Sequence, residues 1–99
     1  MTIEKKQDGN ETTVLLTGRL DTTTAPQLEA ELDNILSDAQ NLVMDFESLE
    51  YISSAGLRVL LMAHKTTTKN NAKMVIRHAN EVIREVFEVT GFMDVLNIE

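Results

Sequence analysis

Residues 41–69 read "NLVMDFESLEYISSAGLRVLLMAHKTTTK", and one periodicity gives way to another within them. Asn41 to Phe46 is a short, mostly apolar run between polar neighbours, most simply a buried strand. From Ser54 to about Lys69 the spacing turns helical, with Leu57, Leu60, Leu61 and His64 along one face. Val59, Met62 and Ala63 widen that apolar side, which predicts a helix covered on more than one side. Between the two elements, "YISSAGLR" at 51–58 sets two hydroxyls and a glycine where strand hands over to helix.

Working outward, the same alternation recurs. Ile3 to Gln7, the turn-like "DGN" and Thr12 to Thr17 predict two strands joined by an Asp-Gly turn, the second stopping at Gly18. "TTTAPQLEAELDNILSD" at 22–38 predicts an amphipathic helix. Thr24 and Gln27 form a T-x-x-Q capping box, Pro26 falls in the first turn, and Leu28, Leu32, Ile35 and Leu36 make the stripe. "NNAKMVIRH" predicts a turn and a further strand. Asn80 to Thr90 predicts a third helix with Val82, Ile83, Val86 and Phe87 inward, stopped by Gly91 with apolar Phe92 beyond it. "MDVLNIE" closes as a short helical turn or strand. Strands alternating with helices imply an α/β fold: a single domain over 1–99, with a mixed sheet that opens on a hairpin and is covered by helices. A site is expected where strand ends meet helix starts, at 18–24 and 50–56.

Composition narrows the function. The 99 residues are 42% hydrophobic, an ordinary globular balance with enough chain for one core. The absence of cysteine excludes a disulfide framework and thiolate metal sites and fits a reducing compartment. "MTIEKKQDGN" has no apolar core to act as a signal. The longest apolar run, Val59 to Ala63, falls short of the ~20 residues of a membrane span, so a soluble, cytosolic protein without membrane insertion is expected. The net charge of −7 argues against binding nucleic acid, whose affinity rests on Lys and Arg neutralising phosphates.

Catalytic patterns are missing. His64 and His78 are the only imidazoles, and ten helical residues would hold Ser54 ~15 Å from His64, too far for proton transfer. There is no nucleophile elbow, phosphate loop or G-x-G-x-x-G turn, and two separated histidines supply no metal cluster. Asp45 and Glu47 read as solvated or strand-end acids. No enzyme, cofactor or metal is expected.

The serines keep two readings. Ser53 or Ser54 at a helix start is a favoured N-cap. The same position offers free N–H groups and the positive end of a helix dipole, so a phosphate added there is accommodated. Gly56 either permits close helix–strand packing or keeps the turn open to a partner.

The chain resembles the STAS domain family, most of all its small, stand-alone bacterial anti-sigma factor antagonists. The likeness rests on "LTGRLDTTTAP" (16–26), "LVMDFESLEYISSAGLRVLL" (42–61) and "VFEVTGFMDVLNI" (86–98). The family's middle stretch usually reads Asp-Ser-Ser/Thr-Gly-Leu, and its phosphorylated serine corresponds to Ser54. Gly56 and Leu57 match the family's Gly-Leu, and Asp21 matches an aspartate lying close to the modified serine. Two positions depart: Ser53 stands for the family's aspartate, which makes it a rival acceptor, and Ala55 stands for the second hydroxyl. The resemblance implies partner switching. The unmodified protein binds an anti-sigma factor that is also a serine kinase of the histidine-kinase-like ATPase fold, which frees the sigma factor. Phosphorylation of Ser54 ends binding, and a PP2C-type phosphatase restores it. Asp21, Thr22, Thr23, Ser53, Ser54, Gly56 and Arg58 would form the binding surface. The rival expectation is a non-switching docking subunit of a lipid-transport ATPase complex or stress-signalling assembly. A nucleotide-binding domain is a third.

Overall fold

The computed structural model describes residues 1–38 and 40–99. Strand β1 (Thr2–Asp8) pairs antiparallel with β2 (Glu11–Leu20) across a two-residue turn, Gly9–Asn10. Gly9 has φ +62°, the left-handed conformation that such a hairpin asks of its first central residue. Helix α1 (Ala25–Ile35), strand β3 (Asn41–Ile52), helix α2 (Ser54–Lys69), strand β4 (Met74–Arg77) and helix α3 (Glu81–Thr90) follow. A 3₁₀ turn at Phe92–Asp94 and the short strand β5 (Asn97–Ile98) complete the order. The sheet runs β1-β2-β3-β4-β5, with β2 to β5 mutually parallel. This is the mixed α/β sheet that the sequence predicts.

Each parallel connection steps one strand in the same direction. Right-handed crossovers therefore bring all three helices onto one face. That face holds the core: Leu20, Met44, Phe46, Leu60, Ile76 and Phe87 are fully buried in one cluster. Thr13, Leu15, Asp45 and Arg77 alternate onto the other face and keep partial or full exposure.

Several expectations are corrected. β2 does not stop at Gly18 but runs to Leu20. Gly18, at φ +107°, sits between two register shifts, so it bulges the strand without ending it. β3 extends past Phe46 to Ile52; the same bulges space its buried Leu49 and Ile52 by three and mask the period of two. The capping box does not form, because Thr24 Oγ1 donates to Arg19 O (2.8 Å) and accepts from Asp21 N (2.9 Å). On α2 the buried row is Gly56, Val59, Leu60, Ala63 and Thr67 together with Leu57, whereas Leu61 and His64 are half-buried and Met62 is 40% exposed. On α3, Ile83 and Phe87 point inward but Val82 is 54% exposed. Gly91 ends that helix at φ +81°, as expected, with Phe92 packed on the core.

Candidate functional site

The C-terminal ends of β2 and β3 lie side by side, with Leu20 opposite Ile52. Ser53 N donates to Leu20 O at 2.9 Å, which joins the chain entering α2 to the end of β2. The two segments flagged by sequence, 18–24 and 50–56, thus meet at the C-terminal ends of two interior strands. Gly56 lets the first turn of α2 close onto these strand ends, against Leu20 and Ile52.

Each segment is held by its own backbone logic. Asp21 Oδ1 accepts from Thr23 N (3.0 Å) and Thr24 N (3.2 Å) and shares, at 3.2 Å, the Thr24 hydroxyl proton whose shorter bond is to Arg19 O, so the carboxylate is the cap of this turn. The Thr24 N–H, together with Thr23 N–H, the Thr24 hydroxyl and nearby Arg19, holds the Asp21 carboxyl below its ordinary range despite some desolvation. Thr22 and Thr23 beside it are exposed.

The two serines part company. Ser53 occupies the N-cap of α2, yet its side chain makes no cap bond, and its Oγ is buried without a partner among the described residues. Ser54, the first helical residue, is exposed. With Ala55 and exposed Arg58 it lines an open depression at the helix start. Neither serine acts as the side-chain cap that composition suggests.

Two features of this neighbourhood were not legible in the sequence. Arg19 and Tyr51 are opposite each other across β2 and β3, and the Arg19 guanidinium lies 4.9 Å from the Tyr51 ring centre. Tyr51 is 36% exposed beside the serine segment. The Arg19–Asp21 ion pair is long, at 3.8 Å. Elsewhere on β3, Asp45 and Glu47, read from sequence as solvated or strand-end acids, bring ligand-type atoms within 4.8 Å of one another and of His78, with Glu47 and His78 exposed and Asp45 half-buried. His78 Nδ1 donates to Asp45 Oδ1 at 2.9 Å, and Glu47 N donates to the same oxygen at 3.0 Å. Burial pushes Asp45 upward, but His78, the Glu47 N–H and Arg77 outweigh it and hold its carboxyl below the ordinary range. The Asp45 hydrogen bond, then its charge, raises His78. Asp45 Oδ1 thus ties the His78 ring and the Glu47 backbone together, and the contact becomes an ion pair when His78 is protonated.

Fold and site together define a class: a small α/β domain whose strand-end surface offers an exposed serine at a helix start, with no base hydrogen-bonded to it among the described residues. The chain belongs to the STAS domain family, whose model matches residues 2–99. It is 37% identical over 84 residues to BtrV, a candidate anti-sigma factor antagonist of Bordetella bronchiseptica, covering 84% of this chain and 72% of that protein. It is 25% identical over 96 residues to the anti-sigma-B factor antagonist of Bacillus subtilis, covering 97% and 88%. Among solved structures, the Bacillus cell fate determinant SpoIIAA in its phosphorylated form shares the fold. That match has TM-score 0.78 and 16% identity, and covers 99% of this chain and 91% of that one. The chain is thus a member of the anti-sigma factor antagonist group, which consists of regulatory proteins and not enzymes. No helix of the described residues is long and apolar enough to cross a membrane.

Proposed function

We propose that residues 1–99 act as one phosphorylation-switched anti-sigma factor antagonist domain. In its unmodified form the surface made by Asp21, Thr22, Thr23, Ser53, Ser54, Gly56 and Arg58 binds an anti-sigma factor that is also a serine kinase of the histidine-kinase-like ATPase fold. That binding frees the sigma factor. The kinase then moves the γ-phosphoryl group of ATP to Ser54 Oγ; ADP leaves, the hydroxyl proton is lost to a base or solvent, and the complex separates. A PP2C-type phosphatase hydrolyses the phosphoester and resets the domain. The protein needs no cofactor of its own and acts away from membrane and nucleic acid.

One observation carries the choice of residue: Ser54 is exposed, whereas Ser53 Oγ is buried. A kinase must reach the hydroxyl it modifies, so the rival acceptor is disfavoured. A phosphate at the first helical residue faces unpaired N–H groups and the positive end of the α2 dipole, so the fold tolerates it. Its charge of roughly −1.5 to −2 acts instead on the bound partner. Support also comes from the anti-sigma factor antagonists that this chain resembles and from the fold it shares with a protein solved in phosphorylated form.

The test is phosphopeptide mapping after incubation of wild type, Ser53→Ala and Ser54→Ala with ATP and lysate of the source cell. Phosphate on Ser54, kept by Ser53→Ala and lost by Ser54→Ala, is the expected result. No phosphate under any condition, with transporter or scaffold subunits co-purifying stably, points instead to the non-switching docking subunit.

A further inference from the structure

Two helix faces of this acidic chain carry opposite charge, and each has an exposed apolar centre. On α3, Val82 and Val89 are 54% and 81% exposed, and half-buried Val86 lies between them. Glu81, Glu85 and Glu88 run alongside at the same four-then-three spacing, all exposed and none in an ion pair among the described residues. On α2, Arg58, Lys65 and Lys69 form an exposed row along one side of Met62, with none of them in an ion pair among the described residues, while Glu29 and Asp33 of α1 share the groove on its other side. Residues 58, 62 and 65 repeat the spacing of 82, 86 and 89, so the two helices present matching rows.

We propose that the valine–glutamate face of α3 docks the basic, Met62-centred face of α2 in a second copy of this chain. The chain itself carries a complement to the α3 face: three cations in a row beside a flexible thioether, on the side of Met62 away from Glu29 and Asp33 of α1. Glu rows then meet Lys and Arg rows, and Met62 meets the valines. A helix-on-helix contact falls short of the roughly 1,200 Å² that stable interfaces bury, so the association is weak and reversible. The net charge of −7 on each copy opposes approach at low ionic strength. At about 0.1 M salt that repulsion is screened beyond about 10 Å, while contact pairs persist. The association needs no kinase, but Arg58 also lines the depression at Ser54 and belongs to the surface proposed for the anti-sigma factor, so the two contacts meet at that residue.

Sedimentation equilibrium on the full chain at about 0.1 M salt tests this, with thermal melts to confirm that each variant is folded. Wild type is expected to show a weight-average mass that rises with concentration and returns to a single chain at about 1 M salt, where charges are screened beyond about 3 Å. Lys65→Glu/Lys69→Glu and Glu85→Lys/Glu88→Lys should each stay monomeric. Mixed in equal amounts, the two should associate again, because each supplies the charge that the other has reversed. Val82→Ser/Val89→Ser should lose association with charge unchanged. A wild type that stays monomeric at every concentration, charge variants that associate as wild type does, or a mixture that stays monomeric overturns the proposal.

Discussion

Gly56 sits so close to Leu20 that a β-carbon on it would lie 2.7 Å from Leu20 Cγ, with Ile52 Cγ1 at 2.9 Å. The glycine is what lets the first turn of α2, and with it Ser54, rest on the ends of β2 and β3. Gly56→Ala gains about 1 kcal/mol of helix propensity but must displace two fully buried side chains, at about 1–3 kcal/mol. A net loss is expected, read as a lower thermal midpoint; each kcal/mol moves it by about 4–8 °C at this size. An unchanged or higher midpoint would show that Leu20 and Ile52 yield freely.

The two helix caps should respond in opposite ways. Asn80 Oδ1 accepts from Ile83 N at 2.9 Å, and its Nδ2 donates to Leu49 O at 3.1 Å, tying α3 to β3. Asn80→Ala is expected to cost about 1–3 kcal/mol in urea unfolding. Ser53 makes no cap bond and buries an unpaired hydroxyl, so Ser53→Ala should stay within about 0.5 kcal/mol of wild type or exceed it.

Thr24 is a latch and not an ordinary cap. Its hydroxyl joins Arg19 O to Asp21 N, fixing the turn that presents Thr22 and Thr23. Thr24→Val keeps the shape and removes these bonds together with the longer contact to Asp21 Oδ1. A loss of about 1–2 kcal/mol is expected, with amide shifts concentrated in residues 19–25 of the heteronuclear NMR spectrum.

The Asp45–His78 pair gives a pH signature. The raised His78 contributes stability that is complete below the unfolded imidazole pKa and is lost as pH rises through its folded value. The lowered Asp45 contributes stability that is present above the unfolded carboxyl pKa and is lost as pH falls through its folded value. Both act fully only between about pH 4 and pH 6.5. In an NMR titration His78 should titrate above an unperturbed histidine, and Asp45→Asn should bring it down. A His78 that titrates alike in both proteins would mean the pair does not persist in solution.

The alternation of elements was legible because the buried residues of α1 and α3, Leu28, Leu32, Ile83 and Phe87, keep strict helical spacing. The ends of β2 and β3 were not, since bulges at Leu15/Thr17 and Gly18/Arg19 break the period of two. The capping box at Thr24 failed for a related reason: a strand-end carbonyl competes for the hydroxyl, and only the folded turn brings it near. Ser54 could be singled out from local pattern. Its distinction from Ser53, the Arg19–Tyr51 stack and the Asp45–His78 pair all depend on cross-strand register or on burial, which no local window contains.

The most direct measurement for the switch is a pull-down from the source cell's lysate, with wild type and Ser54→Glu as paired baits. The account predicts that wild type recovers a small ATPase-fold kinase and that the glutamate form loses most of it, since each tenfold loss needs only 1.4 kcal/mol of repulsion and lost contacts. Equal recovery of the same partners by both baits would contradict a switch at Ser54 and leave the exposed serine as one more residue of a constant docking face.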